Sequence, residues 1–143
     1  MSSAAVPAGN TSDRLKKNWM EWAGWAVSLW PTYVVCWSAY SKLTHATWYV
    51  NEFDRIGWPQ YSLELLAFLQ LSALVLFLIP RTSVLGAIIL AGYLGGAIAS
   101  YVRIWEFYPP FVPGSTAVIA WIALWLREPR VRQLLPIVRK PSS

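Results

Sequence analysis

Four long apolar stretches limit what this chain can fold into. Hydrophobic residues make up 56% of its 143 positions and charged residues 13%, whereas a typical soluble domain has roughly 45–50% and about 25%. A membrane-spanning helix needs about 20 predominantly apolar residues, and in lipid its backbone must satisfy its own hydrogen bonds. The sequence therefore predicts an all-α fold, a bundle of four transmembrane helices. These spans are expected at 22–40, 61–79, 83–102 and 111–126.

The connection between the first two spans has a helical pattern of its own. Apolar residues occupy positions 46, 49, 50, 53 and 56, and polar residues occupy positions 51, 52 and 55. Thr44 is suited to cap a helix, and Gly57 is suited to end one. The segment is therefore predicted to be a short amphipathic helix in the membrane interface. By the same reasoning, Thr82 or Ser83 is expected to cap the third span.

Basic residues are distributed unequally between the two ends of the predicted bundle. If both termini lie in the cytoplasm, nine of the 12 Lys and Arg residues fall on that side, and Lys42, Arg55 and Arg103 fall on the other. The positive-inside rule therefore places both termini in the cytoplasm. Residues 1–18 are predicted to form a disordered cytoplasmic tail, followed by a membrane domain over 19–136 and a short cytoplasmic tail over 137–143.

Several short motifs, in the same order, resemble those of the DoxX-like family of four-helix membrane proteins. They are Ser41-Lys42-Leu43 after the first span, IGWPQY at 56–61, LIPR at 78–81, AGYLGGAIASYVR at 91–103 and LWLREPRVRQLLP at 124–136. The resemblance implies an integral protein of the cytoplasmic (inner) membrane. It also implies that membrane subunits of quinone-linked redox complexes are relatives of this chain, and that eukaryotic assembly factors are more distant relatives. Tyr101 stands where many members have histidine, and Gln70 where some have glutamate, so a mechanism that needs those two side chains does not carry over.

Three charged residues are expected near the outer boundary of the membrane, where ionisable groups are costly and point to function. Lys42 ends the first span, Glu64 lies one turn inside the second, and Arg103 ends the third. Antiparallel packing places these ends at one depth, so they are predicted to form a shallow pocket for the head of a quinone or another lipid-like molecule. The aromatic candidates to stack on a ring there are Trp48, Trp58 and Tyr101. In the alternative interpretation, Lys42 and Arg103 only reach the lipid headgroups, and Glu64 pairs with one of them.

Two rows of small residues run along the third span. One row is Gly92, Gly96 and Ser100, and the other contains Gly95 between the alanines at 91 and 99. Rows with this spacing allow helices to approach closely in a membrane. Packing of these residues inside the monomer is the favoured interpretation, and association of two copies is the alternative.

The sequence contains none of the common catalytic or metal-binding motifs. There is one cysteine and one histidine, so neither a disulfide framework nor a metal site is expected. No phosphate-binding or nucleophile motif is present, and the basic residues do not form a stripe that would bind nucleic acid. These absences favour a protein that is not itself an enzyme.

The sequence therefore predicts a non-catalytic subunit, or an assembly or anchoring factor, of a membrane complex. Its expected partners are the lipid bilayer, a membrane or periplasmic protein and a second copy of the chain. The alternative is a quinone-interacting subunit of a membrane oxidoreductase, with a quinone or a lipid as the candidate ligand. A transporter has the least support, because the charges stay near one face of the membrane.

Overall fold

The computed structural model of the protein describes residues 11–106 and 111–134. In these two ranges the chain forms six α-helices and no strand. They are α1 (Thr11–Leu43), α2 (Thr47–Ile56), α3 (Ser62–Leu78), α4 (Ser83–Arg103), α5 (Phe111–Arg127) and α6 (Pro129–Leu134). The all-α prediction is confirmed for this part of the chain. The predicted tail over 137–143 and the first ten residues of the other predicted tail lie outside it.

Helix α1 is longer than the first predicted span. It begins at Thr11 and continues to Leu43, so residues 11–18 are helical rather than part of a disordered tail. Asp13 lies in the first turn, where a negative charge interacts favourably with the helix dipole. Residues 15–17 are leucine and two lysines, which are good helix formers. These local preferences extend the helix beyond the apolar stretch.

The four long helices pack in a ring. α1 packs against α3 and α5, and α4 packs against the same two helices. Apolar side chains from all four helices fill the space between them. Fully buried members of this core include Val35, Ala73, Phe77, Leu90 and Leu124.

Length and apolarity single out one of the described helices as a membrane-spanning candidate. α4 has 21 residues and is apolar enough to cross a bilayer, whereas α3 and α5 are apolar helices of 17 residues each. The lower limit for a span is roughly 17 residues. The bundle is helical as predicted, and a crossing of the membrane by all four long helices remains a prediction.

The short helix predicted between the first two spans is present as α2. It buries Phe53 and Ile56 and ends at Gly57, whose φ of 76° lies in the left-handed region. The backbone N–H of Trp58 donates to the Phe53 carbonyl at 2.9 Å, which satisfies a carbonyl at the helix end. Glycine is needed at this turn because other residues adopt that conformation at a cost.

Hydroxyl groups predicted to cap helices bind carbonyl oxygens instead. Thr44 donates to the Tyr40 carbonyl near the end of α1, and Thr82 donates to the Leu76 carbonyl near the end of α3, both at 2.9 Å. Ser83 likewise donates to a carbonyl of the turn before α4. The last carbonyls of a helix have no partner within it. The hydroxyls of Thr44 and Thr82 therefore stabilise the end of the preceding helix rather than the start of the next one.

Close helix contacts in the bundle depend on two glycines that the sequence does not single out. A Cβ atom at Gly86 would overlap the backbone of Phe77. A Cβ atom at Gly24 would lie 2.7 Å from the backbone nitrogen of Arg127. Gly86 thus permits the close approach of α4 to α3, and Gly24 that of α1 to α5.

The small-residue rows of α4 face open space. A Cβ atom at Gly92, Gly95 or Gly96 would have no atom within 4 Å. The buried face of α4 contains positions 83, 86, 87, 90 and 94, which leaves these three glycines on other faces. The prediction that they pack inside the monomer is therefore wrong.

Candidate functional site

A buried lysine lies between α1 and α3. Lys42 is 1% exposed, and its Nζ donates to Ser38 Oγ at 2.7 Å and to Gln70 Oε1 at 2.6 Å. Gln70 in turn donates from Nε2 to the Val35 carbonyl at 2.8 Å. Ser38 precedes Lys42 by one helical turn, so α1 supplies the first acceptor and α3 supplies the second.

Aromatic rings and uncharged groups surround this amine. Lys42 Nζ lies 5.0 Å from the ring centroid of Tyr49 and 5.4 Å from that of Tyr93, within the range at which a cation is attracted to a ring face. Ser38 Oγ and the Tyr49 hydroxyl share a hydrogen bond of 2.9 Å, and burial raises the pKa of the Tyr49 phenol, which therefore stays protonated. Among the described residues, no ion pair joins Lys42 to a carboxylate.

A cavity of about 220 Å³ opens beside the amine, and we refer to it as the Lys42 cavity. Residues of α2, α3 and α4 line it, and most of its wall is apolar or aromatic. Besides Lys42, the wall includes Tyr49, Phe53, Trp58, Leu66, Leu69, Gly92, Tyr93, Gly96, Ser100 and Tyr101. A single amine donor in an apolar wall suits a molecule with a hydrogen-bond-accepting head and an apolar remainder.

A second cavity, of about 480 Å³, shares part of this wall. Tyr49, Tyr93 and Tyr101 line both cavities. The rest of the second wall comes mainly from α1 and the start of α5, and it includes Trp48 and Gln70 but not Lys42. The tyrosines and the hydrogen-bonded Lys42 and Gln70 thus lie where two cavities adjoin.

The three charges predicted to form one site have separate partners. The side chain of Glu64 is 63% exposed, and its Oε1 lies 4.0 Å from His45 Nε2. Arg103 donates to the Ile56 carbonyl at the end of α2. Of the three, only Lys42 lines the cavity named after it. The predicted pairing of a cation with Glu64 is replaced by the hydrogen bond from Lys42 to an uncharged amide, because Glu64 lies in the first turn of α3 on an exposed face.

The aromatic candidates are divided between the two cavities. Trp58 and Tyr101 line the Lys42 cavity, whereas Trp48 lines the larger one. Trp58 Nε1 donates to Ser100 Oγ at 3.1 Å, which ties the loop after α2 to α4. Trp58 and Tyr101 are therefore placed where they can contact a molecule near Lys42.

Sequence reasoning missed the partners of Lys42. The sequence marks Gln70 only as a departure from a family pattern, and it gives Tyr49 and Tyr93 no role in a site. The four-residue spacing of Ser38 and Lys42 places both on one helix face, which is the local signal available. The position of Gln70 depends on how α3 packs against α1, and residue spacing within one helix does not report this.

A second buried cation lies at the opposite end of the bundle. Arg127 is 6% exposed, and its Nη2 donates to the Phe77 carbonyl near the end of α3. Its guanidinium carbon lies 4.4 Å from the ring centroid of Trp25. Arg127 lines neither of the two cavities. It joins α5 to α3 and α1, and we interpret this contact as structural.

Together these features define a class of protein, a small helical bundle with a buried lysine beside an apolar cavity. Large apolar side chains such as Trp22, Leu65, Ile88 and Val118 are exposed on its outer faces, which is unfavourable in water and favourable in lipid.

The sequence profile of the DoxX-like family matches residues 26–123, and the chain belongs to this family. Its members are typically membrane-associated, and this chain is accordingly a membrane protein. No curated protein and no solved structure matches the chain.

Proposed function

We propose that this protein binds a membrane-soluble molecule of the quinone class, with the head of the ligand in the Lys42 cavity. The observation that supports the proposal is a lysine amine, 1% exposed, whose described hydrogen-bond partners are uncharged. A buried charge without an opposite charge is costly to the fold. A role in ligand binding accounts for a residue that stability alone does not favour.

The number of N–H donors on Lys42 supports a ligand that carries a hydrogen-bond acceptor. An ammonium group has three donors, and Ser38 and Gln70 account for two of those of Lys42. When the amine is protonated, the remaining N–H is available to an oxygen in the cavity that Lys42 lines. A quinone carbonyl fits this requirement, and the rings of Tyr49 and Tyr93 offer contacts to a planar head.

The cavity volume limits how much of the ligand is enclosed. Pockets that enclose a whole drug-sized molecule measure about 300–1,000 Å³, whereas the Lys42 cavity measures about 220 Å³. The cavity thus has room for a ring and its substituents but not for a long chain as well. We propose that the chain of the ligand lies outside, among the acyl chains of the bilayer.

The proposal is tested by analysing what the protein retains on purification from native membranes. Organic extracts of the wild type, Lys42→Met and Glu64→Gln are compared by mass spectrometry. We expect a quinone in the wild type and in Glu64→Gln, because Glu64 is exposed and lines neither cavity. We expect it to be lost from Lys42→Met. Equal quinone content in wild type and Lys42→Met contradicts the proposal.

A second proposed role is that of a non-catalytic subunit or anchor of a membrane complex. The specific observation in its favour is the row of α4 that contains Gly95, which meets no atom within 4 Å and lines neither cavity. Such a row allows a further helix to approach closely. Crosslinking in native membranes should capture a partner protein or a second copy with the wild type and less with Gly95→Leu. Equal capture by both contradicts this role.

For either role, we propose that the chain crosses the inner membrane four times and that both of its termini lie on the cytoplasmic side. The unequal distribution of basic residues supports it. Cys36 is the single cysteine of the chain, so a Cys36→Ser background permits single cysteines to be placed at positions 10, 81 and 52. An impermeant thiol reagent added outside intact cells should label position 52 alone. Labelling of position 10 or 81 contradicts this topology.

A further inference from the structure

We propose that Gly92 and Gly96 shape the Lys42 cavity into a flat slot, which admits a planar ring and excludes a bulky lipid headgroup. This inference rests on the proposed function, because it concerns the selectivity of the same site. It assigns a role to two residues whose backbone, rather than a side chain, would face the ligand.

The two glycines leave open space that any other residue would fill. Both line the cavity, and a Cβ atom on either would meet no atom within 4 Å. The space beside them is thus not needed for packing against another helix of the chain. Gly92 and Gly96 are one helical turn apart, so together they form a smooth strip of α4 backbone about the length of one turn. A flat ring can lie against such a strip.

The other walls of the slot are aromatic and suit the face of a ring. Trp58 forms one of them, and its hydrogen bond to Ser100 Oγ, 3.1 Å long, holds the indole beside the glycine strip. Tyr93 follows Gly92 on α4 and lines the same cavity, and its ring centroid is 5.4 Å from Lys42 Nζ. Aromatic walls favour offset stacking of a planar group, whereas a tetrahedral phosphate with its substituents cannot lie flat between them.

Lys42 gives the slot its polar end. Its amine is held by Ser38 and Gln70, so its position does not depend on the ligand. A ring that lies along the glycine strip can present a carbonyl oxygen to the remaining N–H. The slot therefore combines a fixed donor with a flat apolar wall, which matches a carbonyl-bearing ring.

The test compares two glycines of the slot with a small exposed residue of α3. Gly92→Leu and Gly96→Leu place a side chain in the cavity, whereas Ser72→Leu is the control, because Ser72 is exposed and lines neither cavity. All three changes favour a helix, since leucine is a better helix former than glycine or serine. Binding of decylubiquinone and of dihexanoyl phosphatidylcholine is measured by isothermal titration of the protein in dodecyl maltoside micelles.

We expect the wild type to bind decylubiquinone and not the phospholipid. Gly92→Leu and Gly96→Leu should weaken decylubiquinone binding by at least about tenfold, as expected when a small pocket is filled by extra carbon atoms, and Ser72→Leu should bind like the wild type. If binding depends on Lys42 but Gly96→Leu and Ser72→Leu bind equally, the slot is refuted and the proposed function stands. Phospholipid binding as tight as that of the quinone also refutes the slot. If Lys42→Met binds decylubiquinone as tightly as the wild type, the proposed function itself is refuted.

Discussion

Replacing Gly86 with alanine should force α3 and α4 apart. A Cβ atom at this position would overlap three backbone atoms of α3, the nitrogen and Cα of Phe77 and the carbonyl carbon of Leu76. Backbone atoms cannot rotate away as a flexible side chain can. The two helices must therefore separate over part of their contact, which includes the buried core residues Leu74 and Leu90.

The expected loss of stability follows from two opposing contributions. Adding a carbon to a well-packed interior costs about 1–3 kcal/mol, and contact with backbone places Gly86→Ala at the upper end. Alanine favours a helix over glycine by about 1 kcal/mol, which offsets part of that cost. The net decrease in the free energy of unfolding should be about 2 kcal/mol.

The matched control is Gly95→Ala on the same helix. Its Cβ meets no atom within 4 Å, so this variant should gain the helix preference alone and become more stable by about 1 kcal/mol. Unfolding by sodium dodecyl sulfate in mixed micelles, followed by tryptophan fluorescence, measures both variants. A Gly86→Ala variant as stable as the wild type, or a shift of stability in the same direction in both variants, would show that Gly86 is not needed for close packing of α3 and α4.

Three further changes test contacts elsewhere in the bundle by the same unfolding assay. Gln70→Leu removes an acceptor from Lys42 and should lower the unfolding free energy by about 1–3 kcal/mol; a Gln70→Glu variant that fails to recover stability would count against that pairing. Arg127→Lys should cost about 1–3 kcal/mol, because an ammonium group does not reproduce the guanidinium hydrogen bond and stacking. Gly57→Ala should cost about 1–2 kcal/mol, because alanine is strained in the left-handed region, and an unchanged stability would show that α2 does not need this turn.

Local features of the fold could be predicted from the sequence because they depend on neighbouring residues. The period of apolar residues between 46 and 56 predicted α2, and Gly57 was the expected end because it tolerates a positive φ. The positions of α3 and α4 follow from the apolar stretches in the same way. Capping was mispredicted because Thr44 and Thr82 have two possible hydrogen-bond partners, a free N–H ahead and a free carbonyl behind.

Contacts between helices could not be predicted from the same information. Lys42 was recognised as a site residue from its charge, but charge alone favoured Glu64 as its partner over Gln70. Gln70 follows Glu64 by six residues, about 9 Å along a helix, and on a different face. The sequence likewise showed the small residues of α4 but not which of them pack, because that depends on the neighbours of each face. Gly86 packs against α3, whereas Gly92 and Gly96 line a cavity.

Photolabelling with an azido-quinone tests whether a planar ligand binds beside Lys42. Membranes that contain the wild type or Lys42→Met are irradiated with the probe, and labelled peptides are mapped by mass spectrometry. We expect labels on the walls of the cavity, in the segments around Tyr49, Trp58 and Tyr93, and we expect their loss in Lys42→Met. Two results would contradict binding beside Lys42. One is labelling confined to exposed aromatic residues away from the cavity, around Trp22 or Trp105, and the other is equal labelling of both proteins.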